Sequence, residues 1–269
     1  MLMSKSALSY LSMIFSTLLA FKAFAITGHT RNSDDSDPLS STVVLVTGPN
    51  WDCSGAMISP NLVLTAAHCI SRPDGTSALH DKLAVHFGNI KNNNYRKDGR
   101  WIRVTDMRVH PSYRIVKNVN NTSYTCSTND IALLKVDPRT SNGLIPIPLK
   151  IVRTWDDLKK VSEITLSGIS APAWKRYPKL RSMTRPFLNT VYDQGSTCLT
   201  IQWPVAHRLY GKRFVGLNNG DSGGPGIVKL NGEKWLAGIA SGGNSYTAIP
   251  LYVRWIEDKA REMNAILPE

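Results

Sequence analysis

Ser222 lies in Gly220-Asp221-Ser222-Gly223-Gly224-Pro225, a tight glycine-rich turn in which backbone N–H groups can face whatever the hydroxyl attacks. A serine hydroxyl is a poor nucleophile at neutral pH, so such a turn calls for a general base and a group that orients that base. Both are available upstream: His68 in Thr65-Ala66-Ala67-His68-Cys69, and Asp130 in Asp130-Ile131-Ala132-Leu133-Leu134. An imidazole suits the base role because it titrates near the working pH. A carboxylate can hold the reactive tautomer and stabilise the imidazolium that forms. The chemistry this set can do is acyl transfer. The remaining histidines (His29, His80, His86, His110, His207) read as surface or packing residues. No cluster has metal-ligand spacing, so neither a catalytic metal nor another cofactor is expected.

Positioning three side chains from such distant segments requires a sizeable fold. At 269 residues, 42% hydrophobic and 19% charged, the chain can bury a substantial core. Residues 1–25 read separately, as a signal peptide: Lys5 supplies a positive start, an apolar run covers 7–21, and Ala23-Phe24-Ala25 has the small-x-small form of a cleavage site. No other stretch is long and apolar enough to span a bilayer, so a secreted product, extracellular or periplasmic, without stable membrane insertion is expected. The net charge is +12, and losing Lys5 and Lys22 with the leader leaves the remainder basic. The basic residues are scattered without aromatic interleaving, which predicts solubility and no nucleic-acid partner.

Short β-branched runs bounded by Gly, Pro, Asn and Asp recur at 42–47, 61–65, 82–87, 102–109, 130–136, 163–168, 197–203, 226–230 and 234–241. That pattern predicts an all-β protein. A helical period appears only near the end, where Tyr252, Ile256, Ala260 and Met263 alternate with charged residues. Residues 138–155 are punctuated by Pro, Gly and Asn and read as a linker between two halves.

The three segments, in the order His, Asp, Ser, resemble the chymotrypsin/trypsin family of serine endopeptidases. Cys53-Ser54-Gly55, Val109-His110-Pro111-Ser112-Tyr113, Ser241-Gly242-Gly243 and a late Trp255-Ile256 extend the match from about residue 26 to the end. The resemblance implies two antiparallel six-stranded β-barrels, at about 26–140 and 155–250, followed by a C-terminal α-helix over about 251–266. The site would lie in the crevice between them, with His68 and Asp130 from the first barrel and Ser222 from the second. It also implies a monomer acting on protein or peptide substrates, and an oxyanion hole made by the N–H groups of Gly220 and Ser222.

Four cysteines in an exported chain point to disulfides. The resemblance pairs Cys53 with Cys69. It leaves Cys126 and Cys198 outside the family's usual places, where Ile164 and Val228 stand instead, but in regions that face each other across the cleft, which predicts a second bridge. By the same resemblance, Ile26-Thr27-Gly28 looks like a mature N-terminus whose amine pairs with Asp221. At the base of the primary pocket, trypsin-like members carry Asp where this chain has Gly216, and Asn218 stands where a pocket cysteine is usual. An uncharged pocket argues against trypsin-like specificity. Ser241 and Gly243 are expected to offer backbone bonds to an extended substrate, and the 114–129 insertion to overhang the cleft. These departures keep two alternatives in view: a binding protein on the same scaffold, and an esterase-like or highly selective processing enzyme.

Overall fold

Runs of valine, isoleucine and leucine become strands in the computed structural model, which describes residues 31–32, 37–49, 51–71, 80–87, 101–116, 126–137, 146–170, 178–187, 191–192, 199–202, 220–241 and 245–269. The first half holds β1 (Arg31–Asn32), β2 (Val43–Thr47), β3 (Asp52–Ser59), β4 (Leu62–Thr65), β5 (Ala84–Phe87), β6 (Trp101–Val109), β7 (Arg114–Val116), β8 (Cys126–Thr128) and β9 (Ala132–Val136). The second holds β10 (Lys150–Ile151), α1 (Trp155–Lys159), β11 (Glu163–Ser170), β12 (Lys179–Pro186), β13 (Val191–Tyr192) and β14 (Leu199–Gln202). It ends with β15 (Pro225–Leu230), β16 (Glu233–Ala240), β17 (Ser245–Ala248) and α2 (Val253–Glu262).

The first expected barrel closes in the order β2-β3-β4-β9-β6-β5. Closure removes free strand edges, which is how an antiparallel sheet of this size protects its backbone polar groups. β2 is buried at every position. Its two faces explain this: one fills the barrel, and β11 from the second half packs against the strand.

The second half differs in form. Its eight described strands and β1 from the first half make a nine-stranded sheet, ordered β1-β12-β11-β15-β16-β17-β14-β13 with β10 added beside β16, and among the described residues this sheet does not close into a six-stranded ring. The all-β class stands. One apolar core spans both halves, joining Leu45, Met57 and Leu133 to Ile169, Ile227 and Leu236. A smaller cluster, including Ile164, Leu166, Val228 and Tyr246, fills the second half.

The expected linker carries structure. Lys150 and Ile151 pair in parallel with Trp235 and Leu236, and Thr154 caps α1 by accepting the Asp157 N–H at 3.1 Å. Five helical residues are too few to leave a periodic signature. At the other end α2 stops at Glu262, short of the expected 266, because Asn264 turns to φ 49° and ends the ladder. The helix docks on the first barrel: Asn61 Nδ2 donates to the Asn264 carbonyl, and the His110 ring meets Tyr252 and Trp255. Among the described residues no helix is long and apolar enough to cross a membrane.

Candidate active site

β4 ends at Thr65, and the chain enters a 3-10 turn over Ala67–Cys69 that carries His68. The expected Cys53–Cys69 disulfide is present and ties this turn to β3. Closing a loop of that length stabilises by roughly 3 kcal/mol in the chain-entropy picture. His68 keeps about a quarter of its side chain exposed (26%), whereas Asp130 is fully buried (0%).

Asp130 stands just before β9, after Asn129 at φ 52°. Asn is among the few residues that adopt this left-handed conformation readily. The Asp130 carboxylate accepts three hydrogen bonds: from His68 Nδ1 at 2.7 Å, from the His68 backbone N–H at 2.8 Å, and from Ser241 Oγ at 2.6 Å. Thr247 Oγ1 donates to its carbonyl at 3.1 Å. Ser241 and Thr247 belong to the second half, so the acid is clamped where the halves meet.

Burial alone would push Asp130 up; the charge of His68 and the donated hydrogen bonds outweigh it and hold the carboxyl below its ordinary value. For His68, burial pulls downward, but the charge and hydrogen bond of Asp130 prevail and raise the imidazole above 6.5.

The turn bearing Ser222 is built to approach other backbone closely. Gly220 sits at φ 94° and Gly223 at φ 79°, both in the region that favours glycine. A Cβ on Gly223 would stand 2.2 Å from the Ser54 carbonyl oxygen and from Thr65 Oγ1. That contact brings the turn against the end of β4, three residues before His68. The turn is fastened by Gly223 N–H to the Ala240 carbonyl, Gly224 N–H to the Asp221 carbonyl, and Ser54 N–H to the Ser222 carbonyl. His68 Nε2 has the Cys69 sulfur at 3.8 Å. Among the described residues no hydrogen bond joins it to Ser222 Oγ.

Asp221 is fully buried and accepts Ser170 Oγ at 2.6 Å. A Cβ on Gly168 would come within 2.7 Å of its Oδ1. Arg181 is the cross-strand partner of Gly168, so its side chain stands on the same face of the sheet. Burial pulls that guanidinium down and the Asp221 charge pulls it back up.

Ile26, Cys198, Gly216, Asn218 and Gly243 lie outside the described residues. Cys126 opens β8, which pairs with β7 as a two-stranded ribbon inside the expected insertion; the Cys126–Cys198 pairing also lies outside the described residues. The one cluster of metal-type donor atoms among the described residues is Cys53, His68 and Cys69. Its two sulfurs are joined to each other, which leaves no thiolate to offer.

Sequence reasoning missed the hydroxyls of Ser54 and Ser170, the charge of Arg181, and the side-chain role of Ser241. Only Ser54 and Ser241 carried a signal, through the short motifs that contain them.

A family model described as Trypsin matches residues 26–256. Vitamin K-dependent protein C from Mus musculus is 27% identical over 237 residues, covering 80% of this chain and 47% of that protein. The Rattus norvegicus protein of the same name is 26% identical over 237 residues, again 80% of this chain and 47% of the relative. Trypsin Blo t 3 from Blomia tropicalis is 28% identical over 229 residues, 77% of this chain and 76% of the relative. The chain thus spans about half the length of the protein C relatives.

Proposed function

This chain belongs to the trypsin family, and from that premise we propose that it is a secreted serine endopeptidase using Ser222, His68 and Asp130. The observation that carries the reading is the double hydrogen bond between the buried Asp130 and the partly exposed His68, beside the Ser222 turn. Asp130 accepts a hydrogen bond from Nδ1–H, so the Nε2 lone pair is left as the base.

In the proposed cycle, Ser222 Oγ attacks the substrate carbonyl carbon while its proton passes to Nε2. The C–N bond then breaks, and the same proton leaves with the amine. Water, deprotonated by His68, hydrolyses the acyl-enzyme and restores Ser222. The Gly220 and Ser222 N–H groups stabilise the tetrahedral oxyanion. In free enzymes the nucleophile–base hydrogen bond is often long and tightens only with substrate, which accommodates the open Ser222–His68 pairing.

The finer parts of the proposal follow the family pattern. The leader 1–25 directs export, and the released Ile26 amine pairs with the buried Asp221. The backbones of Ser241 and Gly243 hold an extended protein or peptide segment. Gly216 leaves the primary pocket without a charge, so cleavage after Arg or Lys is not favoured, and the enzyme acts as a monomer.

A fluorophosphonate probe tests the reading: covalent labelling at Ser222, lost in Ser222→Ala and reduced by orders of magnitude in His68→Ala, is expected. The open Ser222–His68 pairing favours one second reading, a binding protein on this scaffold. An unlabelled Ser222 in folded protein would favour that reading instead.

A further inference from the structure

Ser54, the third residue of β3, is fully buried. β4 pairs with β3 only as far as Ala56↔Leu64, so the edge of β3 is open at Ser54. The Ser222 turn fills that edge: the Ser54 N–H donates to the Ser222 carbonyl at 2.7 Å. Its side chain makes a second attachment, with Oγ donating to the Gly220 carbonyl at 2.7 Å and accepting the Ile169 N–H at 2.8 Å. Thr65 Oγ1 in turn donates to the Ser54 carbonyl at 2.8 Å and keeps this part of β3 in place. One donated and one accepted bond satisfy the hydroxyl.

We infer that Ser54 is a positioning residue for the oxyanion hole, an assignment that rests on the endopeptidase reading above. The two carbonyls it holds belong to the peptide planes on either side of the plane containing the Ser222 N–H. With both neighbours pinned, that N–H has little freedom to rotate, and the same pin at the Gly220 carbonyl limits how its own residue can turn. Gly220, at φ 94°, has no side chain to resist rotation. Without the Ser54 hydroxyl, the buried Ile169 N–H and the half-buried Gly220 carbonyl lose this partner, and the turn gains by rotating toward other partners. Such rotation carries the Gly220 N–H away from the cleft.

The test compares Ser54→Ala, Ser54→Thr and Ser54→Val, with Ser59→Ala as a control. Ser59 is buried in the same strand, and its hydroxyl serves only Asn61 among the described residues. The readouts are kcat and KM on a peptide ester, affinity for a peptide boronate that forms an anionic adduct on Ser222, and the second-order rate of fluorophosphonate labelling. In Ser54→Ala, kcat and boronate affinity are expected to fall together by about ten- to a hundredfold with little change in KM, since deleting an oxyanion donor outright costs about a hundred- to a thousandfold. Thr, which keeps the hydroxyl, should react faster than its isostere Val. Each labelling rate constant is divided by the folded fraction of that variant, measured by circular dichroism, so poorly folding variants remain informative. Equal rates for Thr and Val, or an Ala variant no slower than Ser59→Ala, would overturn the inference. A wild-type protein that is not labelled at Ser222 would instead bring down the endopeptidase reading and the inference with it.

Discussion

Asp130 grips His68 at two points: Oδ2 accepts the ring Nδ1–H at 2.7 Å and Oδ1 accepts the backbone N–H at 2.8 Å. One carboxylate therefore sets both where the imidazole stands and which tautomer it holds. Ser241, donating at 2.6 Å from the second half, fixes the carboxylate itself.

The raised His68 pKa sets an activity limb. Catalysis needs the neutral imidazole, so kcat/KM should rise with pH along a limb centred above 6.5. Asp130→Asn removes the raising charge, leaves burial to act alone, and should shift the limb downward while kcat falls by about four orders of magnitude. A pH–rate profile of both proteins checks the two effects.

The same pair stabilises the fold over a defined window. Asp130, depressed on folding, contributes stability above its unfolded value of 3.8 that is lost as pH falls through the folded value. His68, raised on folding, contributes stability below 6.5 that is lost as pH rises through its folded value. The stability difference between wild type and Asp130→Asn should therefore be greatest between these two reference values and shrink on both sides. Urea unfolding across pH measures it.

Ser241→Ala removes a donor from a carboxylate that has no access to water. Losing such a bond costs about 1–3 kcal/mol. Asp130 should then move toward its ordinary pKa, and kcat/KM should fall about tenfold. Thermal unfolding alongside kinetics separates the stability effect from the catalytic one.

Gly223→Ala places a methyl 2.2 Å from the Ser54 carbonyl oxygen, at a φ of 79°. Backbone strain alone costs about 1–3 kcal/mol, and the clash adds to it. The variant should lose fluorophosphonate labelling at Ser222 and melt well below wild type, read by calorimetry and mass spectrometry.

Much of the barrel was legible because strand preference is local: 42–47, 61–65 and 102–109 each carry their own β-branched run and turn punctuation. β12 was missed because Lys179-Leu180-Arg181-Ser182-Met183-Thr184-Arg185-Pro186 lacks that composition. It becomes a strand by pairing along its length with β11. Asp130 itself was read as the start of a strand. It lies just outside β9, where its carboxylate is free to meet His68 rather than lock into the sheet pattern.

Sequence alone determined the chemistry available: which residue types stand in the nucleophile turn, at the base and at the acid, and which two cysteines flank the histidine segment. Tertiary structure decided how those groups are held. The Ser241–Asp130 and Ser54–Gly220 hydrogen bonds join residues 111 and 166 positions apart. A hydroxyl has no sequence signature for its partner, because a hydrogen bond depends on distance and direction to within a fraction of an ångström. Those quantities exist only once the two halves have packed together.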